Sequence, residues 1–139
     1  MYSRILVPVD PDEPSSWSKA VPVAQAIARS FDAGVTICTV VPDRVAMFQA
    51  PWTSVAYEAL LDKASTRLHA IAREFDDEDI GKEVGSGSIA GGILSIADKI
   101  GADLIVLSSH RPQMKDWLLG ANAERVARHA QCSVLIVRD

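Results

Sequence analysis

The sequence predicts an open α/β sandwich, a parallel sheet covered by helices on both faces. Two observations carry that prediction. Four apolar runs (Ile5 to Val9, Val35 to Val41, Leu104 to Leu107 and Val134 to Val137) are continuous and rich in β-branched residues. Strands buried on both faces read this way, whereas half-exposed strands alternate with polar residues. The stretches between the runs carry apolar residues at helical spacing, so strand and helix alternate, and alternation requires right-handed crossovers between parallel strands.

Taken in order, the first strand is Ile5-Leu6-Val7-Pro8-Val9. A first helix follows Ser15-Ser16, with apolar positions Trp17, Val21, Ala24, Ala28 and Phe31; Pro22 places its start nearby or bends it. Strand two is Val35 to Val41. The clearest helix runs from about Ser54 to Phe75 on a stripe of Tyr57, Leu60, Leu61, Ala64, Leu68, Ile71, Ala72 and Phe75. A weaker strand three, Ile80 to Val84, is polar enough to be an edge. Ser88 reads as the N-cap of a third helix, with Ile89, Ile93, Ile96, Ala97 and Ile100 inward and Gly101 as its stop. Strand four is Leu104 to Leu107. The last helix runs from Asn122 to about Ala130, with Val126, Ala127 and Ala130 on one face, and leads into the final strand. The connection Pro42 to Thr53, carrying Met47, Phe48 and Trp52, is unusually apolar for its length.

Composition bounds the function. One domain over residues 1–139 is the expectation for 139 residues with 48% hydrophobic and 23% charged content. No apolar run approaches the ~18 residues that span a bilayer, so no membrane partner is expected. The N-terminus breaks at Pro8 and Asp10 too soon for a secretory signal, which points to the cytoplasm. Cys38 and Cys132 sit within or beside apolar runs and read as buried free thiols rather than a disulfide. A net charge of −4 lacks the basic face that nucleic acid demands.

Ligands of open parallel sheets settle beyond the carboxyl ends of the strands. Strand one ends in Pro8-Val9-Asp10, strand two in Val40-Val41 and strand four in Ser108-Ser109-His110-Arg111. Gly120, just before the last helix, suits an anion, because it has no side chain and the first-turn N–H groups point outward.

Four pieces in order, Met1 to Asp10, Gly101 to Leu107, Leu118 to Val126 and His129 to Arg138, make the chain resemble the universal stress protein (UspA-like) family over essentially its whole length. The Ser-His-Arg-Pro run followed by Leu-Leu-Gly-x-Asn-Ala is similar to the UspF/UspG-type subgroup. The resemblance implies a Rossmann-like, adenine nucleotide alpha hydrolase-like fold with five parallel strands in the order 3-2-1-4-5. It further implies a homodimer joined through the C-terminal edge strand, which leaves open whether dimers pair into tetramers. Members that bind ATP usually carry Gly-x-x-Gly, nine residues, then Gly-Ser or Gly-Thr. Here Ser108 and Arg111 stand at the glycine positions, eight residues separate Arg111 from Gly120, and Ala121 replaces the hydroxyl residue.

Each candidate has a plainer role beside its functional one. The resemblance suggests that Asp10 holds a ribose hydroxyl, or magnesium brought by the nucleotide; Asp10-Pro11-Asp12 is also good turn chemistry. Val40 and Val41 would pack on adenine and are strand core in either case. Ser108, Ser109 and Arg111 could compensate for the missing glycines, Arg111 by bidentate grip of phosphate; equally, Arg111 could plug the pocket. Asn122 could touch phosphate, but capping the last helix suits it better. His129-x-x-Cys132 lacks a second ligand pair for structural zinc, and Cys132 matches a core position. Neither a Ser-His-Asp arrangement nor a phosphate-binding lysine loop is present, and no base stands out to orient a water.

Two readings result. The first is a cytoplasmic, dimeric stress-response protein that binds ATP or another adenine nucleotide, with its Mg2+, as a regulatory ligand, and is not an enzyme. Its nucleotide-binding set is Pro8, Val9, Asp10, Val40, Val41, Ser108, Ser109, His110, Arg111, Gly120, Ala121 and Asn122. The second is a nucleotide-free dimeric module that recruits a protein partner through its dimer surface and apolar loop.

Overall fold

The computed structural model describes residues 1–42, 54–109 and 120–138. Its elements are β1 (Arg4–Pro8), a 3-10 turn (Pro14–Ser16), α1 (Ala20–Phe31), β2 (Gly34–Pro42), α2 (Ser54–Ala72), β3 (Gly81–Gly87), α3 (Ile89–Ile100), β4 (Leu104–Ser108), α4 (Ala121–His129) and β5 (Ser133–Val137). The strands form one sheet in the order β3-β2-β1-β4-β5, parallel throughout. The order reverses between β1 and β4, where connections leave toward opposite faces.

Side-chain alternation divides the core in two. Ile5, Val7, Val35, Ile37, Leu104 and Val106 pack on one face against α1 and α2, chiefly Val21, Ala24, Leu68 and Ile71. Leu6, Cys38, Val40, Ile105 and Leu107 pack on the other face against α3 and α4, through Ala90, Ile93, Ile96 and Val126. The strands β1 and β4 are fully apolar at their centres because helices cover both of their faces.

Local chemistry sets the helix ends, in places differently from the sequence reading. α1 begins at Ala20, near Pro22 as expected, and Trp17 of the expected apolar stripe lies in the preceding turn. Pro22 is its third residue, so the missing N–H falls where a first turn needs no intrahelical donor. Trp17 is buried even so, its indole N–H donating to Glu74 Oε2 at 2.8 Å. α2 ends at Ala72, three residues early: the Glu74 and Phe75 N–H groups bond to carbonyls three residues back, tightening the turn before the acidic run from Asp76. α3 matches the sequence reading at both ends. The Ser88 hydroxyl accepts from the Gly91 N–H at 3.1 Å, and Gly101 closes the helix at φ +68°.

Three further expectations are corrected. β3 is longer than Ile80 to Val84 and runs to Gly87, because β2 pairs with it as far as Pro42↔Gly87. On α4 the inward face is Ala123, Val126 and Ala130, whereas Ala127 is exposed. Cys132 is half-buried beside the core rather than within it, while Cys38 is fully buried. The connection 42–53 lies outside the described residues beyond Pro42. Among the described residues no helix is long and apolar enough to cross a membrane.

Candidate functional site

A crevice of about 540 Å³ opens beyond the carboxyl ends of β1, β2 and β4, at the point where strand order reverses. Its volume falls in the usual range for small-molecule sites, ~300–1,000 Å³. Pro8, Val9, Asp10, Val40, Val41, Ser108, Ser109, Gly120 and Asn122 all line it. Residues spread from position 8 to position 122 thus converge on one space. Ala121 is exposed and lies outside the lining. His110 and Arg111 lie outside the described residues. A more open hollow of about 480 Å³ lies between α2 and β3, away from the strand ends.

The floor of the crevice comes from strands of unequal length. The Val9 N–H donates to the Cys38 carbonyl at 2.8 Å, so the Cys38 main chain faces β1. Two residues on, Val40 faces the same way. β1 ends at Pro8, opposite Cys38, while β2 continues to Pro42. The main-chain N–H and carbonyl of Val40 therefore look into the opening past the end of β1.

Asp10 is both the turn residue and a wall of the site. Its N–H donates to Ser16 Oγ at 2.8 Å, and its Oδ1 accepts from the Asp12 N–H at 3.0 Å. The other carboxylate oxygen meets no donor among the described residues, and the side chain is exposed. Ser108 lines the crevice while its hydroxyl donates to the Ser15 carbonyl at 3.0 Å. The Ser109 N–H donates to the Val137 carbonyl at 3.1 Å, carrying the β4–β5 pairing one residue further.

Gly120 is buried and is itself the N-cap of α4, with φ −63° and ψ 151° and no side-chain cap bond. Asn122 is therefore not the cap; it is the second helical residue and lines the crevice. Gly120 offers the first turn of α4 no side-chain cap, and among the described residues no side chain bonds its N–H groups, which is the arrangement that suits an anion.

Sequence reasoning missed the α2 wall. Leu60, Lys63, Ala64 and Arg67 line the crevice along one helical stripe. Arg67 Nη2 pairs with Asp12 Oδ1 at 2.7 Å. A signal is present in the chain, since Leu60 and Ala64 belong to the inward apolar stripe and Lys63 and Arg67 stand beside them. Charged residues flanking an apolar stripe usually face solvent, so only the approach of α2 to the β1–α1 loop distinguishes them.

Among the described residues no three His, Cys, Asp or Glu side chains gather to hold a metal. Asp10 and Asp12 alone make no cage, so a magnesium ion would have to arrive with phosphate oxygens. Adenine nucleotide chemistry fits the lining: apolar side chains and strand-edge main chain for a base, a carboxylate for a ribose, cations and helix N–H groups for phosphate.

A sequence profile described as the Universal stress protein family matches residues 1–138. Universal stress protein G of Shigella flexneri is 32% identical, with 99% of this chain and all of that protein covered. The crystal structure of a universal stress protein in complex with cAMP is 27% identical and superposes with a TM-score of 0.64, covering 99% of this chain and 97% of the other. The structure of protein MJ0577, 24% identical, shares the fold with a TM-score of 0.70, covering all of this chain and 97% of that one. With the sheet order, the switch-point crevice and the whole-length match in agreement, the chain belongs to the universal stress protein family.

Proposed function

We propose that this protein is a cytoplasmic stress-response protein that holds ATP or another adenine nucleotide in the switch-point crevice as a regulatory ligand. The observation that carries the proposal is the convergence of Asp10, Val40, Gly120 and the α2 cations on one opening. Val40 and Val41 receive the base, Val40 offering its main-chain groups to the base edge. The Asp10 carboxylate takes a ribose hydroxyl. The α4 N-terminus at Gly120 to Asn122 and the cations of α2 receive phosphate, with magnesium entering alongside it. The related structure solved with cAMP supports an adenine nucleotide as the ligand class. In this reading the nucleotide acts as a signal and not as a substrate for turnover.

The test is mass spectrometry of ligand released from gently purified protein, followed by calorimetric titration with ATP, ADP, AMP, cAMP and adenosine. A co-purifying adenine nucleotide and saturable binding are expected. A blank titration with all five, and no released ligand, would overturn the reading. One observation favours the second reading, a nucleotide-free module that recruits a protein partner: Arg67 is already neutralised by Asp12 within the crevice. The blank outcome would leave that reading standing.

A further inference from the structure

We propose that Arg67 reads ligand charge in this crevice and that Asp12 holds the guanidinium until an anionic ligand takes it over. The inference rests on the nucleotide reading above and adds to it a switch of partners at one residue. Arg67 lies one turn beyond Lys63, on the helical stripe that faces the crevice. Its partner is delivered by the loop after β1. Asp10 closes that loop by accepting the Asp12 N–H at 3.0 Å, and the Asp12 carboxylate then meets Arg67 at 2.7 Å.

Exposure decides how firm this contact is. The Arg67 side chain is 38% exposed and that of Asp12 80%. An ion pair so open to water holds weakly, because solvent screens it and both side chains lose freedom in forming it. The Asp12 contact joins one guanidinium nitrogen to one carboxylate oxygen, whereas a phosphate group carries more charge than a carboxylate and can take both nitrogens of the fork, so it outcompetes Asp12. The described lining holds two carboxylates, Asp10 and Asp12, against two cations, Lys63 and Arg67. With Asp12 paired the α2 wall offers one cation uncompensated among the described residues, Lys63; with the pair opened it presents two positive groups. Affinity should therefore climb with the number of phosphates, and adenosine should not register the pair at all.

Calorimetric titration of the full chain with ATP, AMP and adenosine tests this in three proteins: wild type, Arg67→Gln and Asp12→Asn. Arg67→Gln should weaken ATP about tenfold or more, AMP less, and adenosine not at all, as loss of a charge-assisted bidentate contact does. Asp12→Asn should tighten ATP about threefold by removing the competitor, and added salt should shrink that gain. A gain in affinity cannot come from misfolding, so the second variant guards the first, and thermal melts should move little for either. The inference is overturned if Arg67→Gln binds ATP as wild type does, if ATP and adenosine weaken by the same factor, or if Asp12→Asn weakens ATP. Each of those results leaves the nucleotide reading intact, provided the wild type binds. A wild-type protein that binds neither ATP nor adenosine would overturn both.

Discussion

Gly120 concentrates the residue-scale argument. It is buried, it caps α4 without a side chain, and it borders the crevice. Its backbone at φ −63° is open to any residue, so a substitution there tests space rather than conformation. Gly120→Val should lower adenine-nucleotide affinity about tenfold or more by filling the approach to the helix N–H groups, with the far-ultraviolet dichroism spectrum unchanged. Equal calorimetric affinity for both proteins would remove Gly120 from the site. The cysteines allow a second residue-scale test. Burial, and then the nearby Glu83 carboxylate, push the Cys38 thiol far above its ordinary range; burial and Asp103 raise Cys132 despite a backbone hydrogen bond that opposes them. Since the thiolate is the reactive form, a raised pKa slows alkylation at about pH 8. Intact-mass measurement should find half-buried Cys132 labelled slowly in the native protein and Cys38 only after denaturation. Native labelling of Cys38 at the rate of a free thiol would contradict its placement.

At the scale of elements, α3 carries the sharpest constraint. A Cβ built on Gly92 would lie 2.7 Å from both Val40 methyl carbons and 3.2 Å from the Ser86 carbonyl oxygen. Valine has little freedom to withdraw and the carbonyl belongs to β3, so the helix itself would have to shift. Gly92→Ala should cost about 1–3 kcal/mol in urea unfolding. It should also weaken nucleotide, because Val40 lines the crevice; an unchanged unfolding midpoint would show that α3 is not packed so closely. Ser88→Ala, which removes only the cap, should cost about 1 kcal/mol without touching affinity. Cap chemistry is local, which is why Ser88 and Gly101 are legible in the amino-acid sequence itself. The start of α1 and the last turn of α2 are less so, because Trp17 and Phe75 fit a helical spacing whether or not the backbone there is helical. β3 is the least legible. It carries Gly81, Gly85 and Gly87, and only pairing with β2 makes those residues a strand.

The whole molecule has two sheet edges with different surfaces. β3 is polar, while β5 pairs with β4 alone and exposes Leu135 (36%), with Val134 and Ile136 half-buried. An apolar edge with unpaired main-chain groups invites strand addition, and a second copy of the same strand can satisfy it through one two-fold contact. Light scattering at micromolar concentration should give the mass of a dimer. Leu135→Lys, placed on the outward residue, should give the monomer without unfolding. A native chain that is already monomeric would refute this assembly whatever the variant does.

By itself the sequence determined the parallel sheet, its helical cover, the position of the crevice and most of its strand-end lining. Each of these follows from short-range pattern: continuous β-branched runs, helical spacing, caps, and the rule that open sheets bind ligands at strand carboxyl ends. Tertiary structure alone decided that Lys63 and Arg67 form a wall of that crevice, that Arg67 meets Asp12, that Gly120 and not Asn122 caps α4, and that β3 extends to Gly87. These facts depend on how far β2 outruns β1 and on how closely α2 approaches the loop after β1. They join residues as far apart as Asp12 and Arg67, and no periodicity along the chain records which two surface charges folding will bring within 2.7 Å.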